Sequence, residues 1–378
     1  MENKSLFDFD VLIAGGGPSG AALGNLLASS GISCCVADKA FFPREKLCGG
    51  LVTAKTRKLA CEIAGKDILS ASDAYEMRDI AFFYEGAPVA ATSVDSPFNI
   101  VERRIFDNAL LRLFVEKGGT LLEGREVVSV DTGVNCVKLK TGETLRYRVL
   151  VGADGVYSKI RPLVEQHPLP TAFCCEAFVP KDTANLGDCI AMHFGLVPYG
   201  YAWVFPRSDS YAVGFGGLAP KDFDYKTTMA YLLEAIGAPS IPFKGMHVPY
   251  GHFVRKPVKR NILLVGDAAG LVDSMTGEGL YYALLSAKKA SVAILNFLHS
   301  GEKLDAYVAS LAPIHAHIKS ATRAQRFFYN RQIQKAIFKR AHGRTNFVRY
   351  AAENVISNGD MTWGEAFLKY FGEKIFGR

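Results

Sequence analysis

Hydrophobic residues form unbroken runs near the start of the chain. The apolar run DVLIAGG is followed by the small-residue segment GPSGAALGNLLASSG and then by a second apolar run, SCCVADK. Strands of a parallel sheet are buried on both faces, so they read as unbroken apolar runs. The pattern therefore predicts a βαβ unit: a strand, a glycine turn, a helix and a second strand.

Apolar and polar positions alternate in the middle of the chain. Short alternating runs occupy about 79–101, a helix is predicted at about 104–117, and a meander follows with turns at Thr132-Gly133 and Thr141-Gly142. Residues 171–217 again indicate strands, and YKTTMAYLLEAIG predicts a helix ended by Gly237. NILLVGDAAG returns to the buried-strand pattern, and the remainder is almost entirely helical.

The apolar strand near residue 262 resembles the first strand, which predicts a discontinuous nucleotide-binding domain with an antiparallel domain inserted into it. We expect an α/β fold, α+β overall, since 378 residues give room for about two domains. The Rossmann-like domain is predicted to comprise 1–78, 103–165 and 255–300. The inserted antiparallel-sheet substrate domain is predicted to comprise 79–102 and 166–254, and 301–378 to form a helical C-terminal region.

Charge is distributed unevenly along this chain of net charge +7. From 306 to 352 there is no Asp or Glu but nine basic residues: Lys319, Arg323, Arg326, Arg331, Lys335, Lys339, Arg340, Arg344 and Arg349. Such a patch attracts anionic surfaces such as lipid headgroups, and a merely solvated helix face is the alternative. No nucleic-acid partner is expected.

The chain shows no run of about 18 uncharged apolar residues and no leader pattern at its start. We therefore expect a cytoplasmic protein, with peripheral contact to the inner face of the membrane left open. The eight cysteines show neither a CxxC pair nor a Cys/His zinc spacing, which favours reduced thiols and no metal site.

A GxGxxG motif, formed by Gly15, Gly17 and Gly20, stands between the first strand and its helix. Glycines at this spacing allow a tight turn and a close approach of backbone to a pyrophosphate at a helix N-terminus. Asp38 ends the second strand 23 residues after Gly15, where an acid can accept hydrogen bonds from an adenosine ribose. Together these residues predict dinucleotide binding.

Two further glycine-acid turns follow buried strands. The first contains Asp154 and Gly155, and the second contains Gly266 and Asp267 and continues to Gly277-Glu278-Gly279 at a helix start. Ligands of open α/β sheets bind beyond the carboxyl ends of the strands. Three such loops on one sheet indicate a long ligand that reaches across it.

The loop FFPREKLCGGLV and the strand YAWVFP each leave alternatives open. Cys48 could be a disulfide partner, a metal ligand, a nucleophile, a filler or a thiol aimed at a cofactor, although its sequence context argues against the first three. Alternation places Tyr201, Trp203 and Phe205 on one face of a strand. Three aromatic residues on one face form either ordinary core or the wall of an apolar binding site.

These motifs together resemble a known family. GxGxxG with Asp38, Arg103 in ERRIFDNAL, GADG and GDAAGLVDSMTGEG are similar to the FAD-binding set of the para-hydroxybenzoate hydroxylase-like flavoproteins. Within that group, PREKLCGG and GYAWVFPRSDSYAVGFG resemble the geranylgeranyl reductase family. The second segment fits that family's YxWxFP-x7-GxG box from Tyr201 to Gly216. The resemblance covers about residues 8–300.

The resemblance implies a role for each matching position. Gly15, Gly17, Gly20 and Asp38 should hold the ADP half of FAD, Arg103 should lie near its pyrophosphate, and Asp267 should bind the ribitol chain. Gly277–Gly279 should lie near the isoalloxazine ring, with Asp154 and Gly155 supporting the cofactor. The implied cofactor site also includes Pro18, Ser19, Lys39, Arg44, Cys48, Gly49, Gly50 and Gly266, and the implied substrate site comprises Tyr201, Trp203, Phe205, Pro206, Gly214 and Gly216.

The implied activity is an FAD-dependent saturation of carbon–carbon double bonds in a prenyl chain, with NAD(P)H or another reductant as a transient electron donor. An unpolarised alkene needs a proton as well as a hydride, so a proton donor is expected near the flavin. Cys48, Tyr201 and an ordered water are the candidates. The alternative is a monooxygenase or halogenase of the same fold, although YAWVFP departs from the WxWxIP box of the halogenases.

Overall fold

The protein is described from a computed structural model, which covers residues 6–218, 220, 222–357 and 365. Its strands are β1 (Phe9–Ala14), β2 (Cys34–Ala37), β3 (Leu51–Val52), β4 (Tyr75–Tyr84), β5 (Ala87–Ile100), β6 (Thr120–Leu122), β7 (Val127–Asp131), β8 (Cys136–Leu139), β9 (Thr144–Gly152), β10 (Thr171–Pro180), β11 (Ile190–Phe194), β12 (Gly200–Pro206), β13 (Ser210–Gly217), β14 (Phe243–Pro249), β15 (Val258–Lys259) and β16 (Ile262–Leu264).

The α-helices are α1 (Pro18–Ser29), α2 (Ala54–Ala64), α3 (Arg103–Glu116), α4 (Arg161–Val164), α5 (Tyr225–Ala235), α6 (Leu280–Ser300), α7 (Asp305–Ser310), α8 (Ala312–Phe328), α9 (Arg331–Ala341) and α10 (Thr345–Tyr350). Two 3₁₀ turns lie at Ser70–Ser72 and Gly266–Ala269, and Ala351–Ser357 is π-helical.

The first sheet has the strand order β15-β16-β9-β1-β2-β6. From β16 to β6 all neighbours are parallel, and β7 and β8 join β9 as an antiparallel meander. Strands β1, β2 and β16 are largely buried, as their unbroken apolar sequences predict. The βαβ unit and the α/β class are confirmed. Strand β16 joins β9 from far along the chain, which makes this layer discontinuous in sequence.

The second sheet has the order β14-β10-β13-β12-β11-β4-β5-β3. Its described neighbours are antiparallel except for β4 and β11, which are parallel. These two strands belong to segments separated by much of the first sheet, so no hairpin forces them to run in opposite directions. Helix α5 covers one face of this sheet through the cluster around Phe215, Met229 and Leu233.

Two pieces of chain that were predicted for the first domain join the second sheet. Strand β3 pairs with the end of β5, with Leu51 opposite Ile100, and β4 begins at Tyr75 rather than at 79. The reason is that the loop 43–50 crosses from one sheet to the other. The remaining domain bounds stay a prediction.

The C-terminal helices pack against the second sheet. Phe338, Ala341, Val348 and Ala352 are buried in one cluster with Phe194 of β11. The helical character predicted for 301–378 is confirmed through Ser357, whereas 358–378, apart from 365, lie outside the described residues. Among the described helices, none is long and apolar enough to cross a membrane.

Candidate active site at the junction of the two sheets

The glycine turn after β1 is folded tightly against the neighbouring strand. Gly15 has a φ of +108°, and a Cβ there would lie 2.4 Å from the carbonyl oxygen of Ala153. A Cβ on Gly20 would lie 1.9 Å from the carbonyl oxygen of Gly15. The turn therefore requires glycine at both positions. It leads into Gly17, the N-cap of α1, so the partial positive charge of the helix N-terminus is available to an anionic ligand.

Asp38 braces this turn from the end of β2. Its Oδ2 accepts the backbone N–H of Gly16 at 2.7 Å, and its Oδ1 accepts the N–H of Ala40 at 2.8 Å. An ionised carboxylate has about four acceptor positions, so this one retains capacity for ligand hydroxyls. Asp38 thus fixes the turn and remains able to bind a sugar.

The turns after β9 and β16 are held by buried polar contacts. Asp154 Oδ2 accepts the N–H of Lys159 at 2.7 Å, while its Oδ1 has no hydrogen-bond partner among the described residues. Burial raises the pKa of Asp154, although three backbone N–H groups and Ser158 oppose that effect. Arg161 donates to the carbonyl oxygen of Ala268 at 2.8 Å, which ties the two turns together. Asp267 lines the same cavity.

Glu278 anchors the loop before α6 to the first turn of α2. The hydroxyls of Thr53 and Thr56 donate to its Oε1 at 2.9 and 3.1 Å, and Lys55 Nζ lies 2.7 Å from its Oε2. These three partners were not predicted from the sequence. They hold Gly277–Gly279 in place at the cavity.

The loop 43–50 brings Cys48 beside a buried ion pair. Arg103 donates to both carboxylate oxygens of Asp107, at 2.8 and 3.0 Å, and its guanidinium lies close enough to Cys48 for the two groups to interact electrostatically. Arg44 lies 3.8 Å from the same carboxylate. Asp107, four residues along α3 from Arg103, was not predicted as a site residue. It orients the arginine that lies near Cys48.

Lys46 connects this loop to β14. Its Nζ lies 3.1 Å from Met246 Sδ, and burial lowers the pKa of its ammonium group. A Cβ on Gly49 would lie 2.8 Å from the Phe205 ring, and one on Gly50 would lie 2.2 Å from the carbonyl oxygen of Val101. Both positions therefore require glycine, because a side chain at either one would clash with neighbouring protein atoms.

The strand register explains the pattern of aromatic residues and glycines in the segment Tyr201–Gly216, which we call the aromatic box. Trp203 on β12 is opposite Gly214 on β13, which is opposite Glu176 on β10; the next row is Tyr201, Gly216 and Cys174. The prediction that Tyr201, Trp203 and Phe205 share a face is confirmed, since all three line the cavity.

The glycines of this box leave space for its aromatic side chains. A Cβ on Gly214 would lie 2.6 Å from Trp203 Cζ2, and one on Gly216 would lie 2.4 Å from Cys174 Sγ. Gly214 and Gly216 on β13 thus leave a groove between the side chains of β12 and those of β10. Tyr201 also donates from its hydroxyl to the carbonyl oxygen of Thr276 at 2.5 Å, which joins the box to the loop before α6.

Glu176 is a further residue of the cavity wall that was not predicted from the sequence. It is 2% exposed, its Oε1 accepts the indole N–H of Trp203 at 3.1 Å, and its Oε2 has no partner among the described residues. Burial raises its pKa to about 7, although Trp203, Arg207, Cys48 and Arg103 oppose that effect. The available signal was a single charged residue within the apolar strand TAFCCEAFVP.

These elements enclose one cavity of about 760 Å³. Its lining includes the predicted residues Gly15, Gly17, Pro18, Ser19, Asp38, Lys39, Arg44, Cys48, Gly49, Gly50, Arg103, Asp154, Gly155, Asp267, Gly277, Glu278, Gly279, Tyr201, Trp203, Phe205 and Gly216. The predicted residues Gly20, Gly266, Pro206 and Gly214 are not among the residues that line it. Residues that were not predicted complete the wall, among them Glu176, Met192, Met246, Val248, Tyr250 and Ile356.

The cavity fits FAD by the chemistry of its walls. A helix N-terminus and a glycine turn that excludes any Cβ suit a pyrophosphate, and Asp38 retains acceptor capacity for a ribose. The unpartnered Asp154 Oδ1 adds a buried acceptor on the same wall. Beyond these turns the lining changes to aromatic and thioether side chains, which suit an apolar molecule.

Comparison with known proteins agrees with this geometry. A family model described as an FAD binding domain matches residues 8–172. The uncharacterized protein Mbar_A1602 of Methanosarcina barkeri is 31% identical over 305 residues, which cover 79% of this chain and 77% of that protein. A geranylgeranyl diphosphate reductase of Rhodobacter capsulatus is 27% identical over 330 residues, which cover 82% of this chain and 81% of that protein.

Solved structures share the fold. A geranylgeranyl bacteriochlorophyll reductase-like protein (Ta0516) of Thermoplasma acidophilum superposes with a TM-score of 0.78 and 19% identity, covering 98% of this chain and 97% of that one. A flavin-dependent brominase and a probable FAD-dependent monooxygenase also share the fold. At these identities the likeness concerns the fold alone.

Proposed function

Because the chain belongs to the geranylgeranyl reductase family of FAD-dependent oxidoreductases, we propose that it saturates carbon–carbon double bonds of a prenyl chain. The chain would be of the geranylgeranyl type, carried by a lipid, a quinone or a pigment precursor. The observation that supports this best is that one cavity joins the glycine turns of the first sheet to the aromatic box of the second.

The cofactor end of the cavity would hold FAD through the three turns. Gly15, Gly17 and the α1 N-terminus suit the pyrophosphate, Asp38 the ribose and Asp267 the ribitol chain. Gly277–Gly279 would lie near the isoalloxazine ring, at the position that Glu278 fixes. When bound and reduced, FAD supplies the hydride equivalent, and NAD(P)H or another reductant visits transiently to reduce it.

The substrate end would hold the alkene and exclude water. Tyr201, Trp203 and Phe205 form a continuous wall, with centroid distances of 5.8 Å and 6.1 Å between successive rings. Met192, Met246 and Val248 add apolar surface. A prenyl chain is apolar and flexible, and such a wall binds it by removing apolar area from water.

The proton for the second alkene carbon would come from a group near the flavin. Cys48 lies beside the Arg103 guanidinium, and Tyr201 lines the same cavity. Substituting Cys48 by Ser and by Ala separates a proton-donating thiol from one that only shapes the site. Turnover that stays at the wild-type level in both variants, with FAD bound, would leave Cys48 as a packing residue.

The test is an anaerobic reaction of the FAD-loaded protein, supplied with NAD(P)H or dithionite as reductant, with a panel of prenyl lipids, quinones and pigment precursors, read by mass spectrometry. We expect products heavier in steps of about two daltons, one step for each saturated bond. Reduced flavin that no member of the panel reoxidises would contradict the proposal. A product that forms only with oxygen or halide present would instead indicate a monooxygenase or halogenase.

We also propose that the basic C-terminal helices dock on anionic lipid, where prenyl substrates reside. All nine basic side chains between 306 and 352 are exposed, and the apolar faces of α9 and α10 are occupied by the second sheet. The segment itself contains no acidic residue, although Arg331 pairs with Glu85 from the end of β4. A surface with excess positive charge is attracted to anionic headgroups, and salt screens that attraction.

A further inference from the structure

Glu176 occupies a distinctive position in the cavity wall. It lies on β10, between the aromatic box and the loop that carries Cys48, and it is 2% exposed. Its neighbour across the sheet is Gly214, and the Trp203 indole reaches over that glycine to donate to Glu176 Oε1 at 3.1 Å. The absence of a side chain at Gly214 is what makes this contact possible.

The second oxygen of this carboxyl group has no described partner. Glu176 Oε2 is buried and accepts no hydrogen bond from any described residue. An unpartnered carboxylate oxygen in a buried site is unfavourable, whereas a protonated oxygen can donate to a ligand in the cavity. The geometry therefore favours a protonated carboxyl group in the wall of the cavity.

We propose that Glu176 is the general acid of the reductase reaction and transfers its carboxyl proton to an alkene carbon of the substrate. The inference rests on the proposed function, because it names the proton donor of that reaction. It differs from the candidates Cys48 and Tyr201, neither of which is a carboxylic acid.

The step balances in atoms and electrons. The O–H bond of Glu176 breaks, a C–H bond forms at one alkene carbon, and the bonding pair of the O–H remains on the carboxylate. The other alkene carbon receives the hydride equivalent from reduced FAD, whose two electrons come from NAD(P)H or another two-electron donor. The carboxylate then takes a proton from solvent, which restores the acid.

The surroundings of Glu176 make it a better acid than its neighbours in the box. Burial raises the pKa of Tyr201 and of Cys174, whereas that of Glu176 is raised only to about 7. Its carboxyl is therefore protonated in a large fraction of molecules at neutral pH and can still release the proton. The groups around it are Trp203 and Arg207 from β12 and its end, Cys48 from the loop, Arg103 from α3, Cys174 from β10 and the exposed Lys244 opposite it on β14.

The protonation state can be read without turnover. The chain has two tryptophans, so replacing Trp363 by Phe leaves Trp203 as the fluorescent reporter bonded to Glu176. In the FAD-loaded full chain we expect its fluorescence to change with a midpoint near pH 7. Glu176→Gln should abolish this titration, and the control Glu234→Gln, which removes an exposed acid on α5, should leave it intact. A titration that persists in Glu176→Gln would contradict the proposal.

The turnover rates of variants then test whether Glu176 is the general acid. With FAD bound, we expect Glu176→Gln to lower kcat about 100-fold or more at pH 6, as for the loss of a general acid. Glu176→Asp should recover part of the rate and keep a fall in rate as pH rises, since it retains a carboxylic acid. Cys48→Ser should also keep that fall.

Two results would overturn different claims. If the wild type reduces a prenyl lipid and Glu176→Gln stays within twofold of its kcat with the same pH profile, Glu176 is not the donor. If the wild type reduces no member of the panel, the proposed function fails. Retention of FAD in each variant, seen by its visible absorbance, excludes unfolding as the cause of a lost rate.

Discussion

The position of the Trp203 side chain depends on two glycines. Its indole N–H lies above Gly49 on one side, where a Cβ would come within 3.3 Å, and its ring passes over Gly214 on the other. Glu176 lies at the far end of the same row and accepts the indole hydrogen bond. Three separate segments thus meet at one ring, and each glycine is required by contact with a neighbour.

Gly214→Ala should displace Trp203 and destabilise the protein. The added Cβ would meet Trp203 Cζ2 and the carbonyl oxygen of Cys175, both at 2.6 Å, and such overpacking typically costs about 1–3 kcal/mol. Denaturant unfolding measures this cost. Gly133→Ala, in an exposed turn where the Cβ would meet only the Asp131 side chain at 3.2 Å, serves as control. Equal stability of the two variants would contradict the packing argument.

Glu176 should make stability depend on pH. Its pKa is about 7 in the folded protein against 4.5 when unperturbed, so the folded state binds a proton more tightly than the unfolded state. Its stabilising contribution is full below about 4.5 and is lost as pH rises through about 7, by at most about 3 kcal/mol.

Unfolding free energies of the wild type and of Glu176→Gln, measured between pH 5 and 8, check this dependence. We expect the difference between them to shift steadily in favour of the variant as pH rises. A difference that stays constant over this range would mean that Glu176 ionises at its ordinary pKa.

At the scale of elements, α2 and α6 are joined at two points of different character. Glu278, before α6, is held by Thr53, Lys55 and Thr56 at the start of α2. Farther along, Lys288 pairs with Glu62 at exposed positions. The first contact lies at the cavity and the second on the surface.

Glu278→Ala should weaken FAD binding about tenfold or more, because it frees Gly277–Gly279 and leaves Lys55 without its carboxylate partner. Fluorescence titration of the apoprotein with FAD measures the effect. Glu62→Gln breaks the surface pair between the same two helices and should cost less than about 1 kcal/mol and leave FAD affinity unchanged. Equal FAD affinities in the two variants would show that the inner contact does not position the loop.

The sequence was most informative where one local pattern sufficed. Strand β1, the glycine turn and Asp38 lie within one βαβ unit, so spacing alone predicted them, and alternation placed Tyr201, Trp203 and Phe205 on one face. Glu176 and Lys55 were missed because their roles arise from pairings between distant segments, such as the register of β10 with β13. Asp107 was missed although its partner Arg103 is only one helical turn away, because nothing in the sequence shows that this pair is buried at the cavity. A hairpin pattern likewise could not predict the parallel pairing of β4 and β11.

At the scale of the whole molecule, the cavity lies between a parallel sheet that carries the glycine turns and a second sheet that carries the aromatic box. The loop 43–50 spans the two, and α9 and α10 cover the second sheet with their apolar faces. Their basic residues are consequently on the outside.

Binding to vesicles tests whether the basic residues on the outside of the C-terminal helices contact anionic lipid. We expect the protein to cosediment with vesicles of anionic lipid and not with neutral ones, and salt to weaken the association. Replacing Lys335, Lys339, Arg340 and Arg344 by Ser should reduce binding substantially, whereas the same change at Lys138 and Lys140, near the β8–β9 turn, should not. Binding that is independent of lipid charge would contradict an electrostatic dock.

The most direct test of the proposed prenyl reduction is the reoxidation of reduced, protein-bound FAD by a prenyl lipid in the absence of oxygen. The absorbance of oxidised flavin should return in a single turnover, with one double bond saturated for each flavin reoxidised. The wild type should show this return, and Glu176→Gln should show it far more slowly at pH 6. A flavin that stays reduced with every prenyl lipid and is reoxidised only by oxygen would contradict the account.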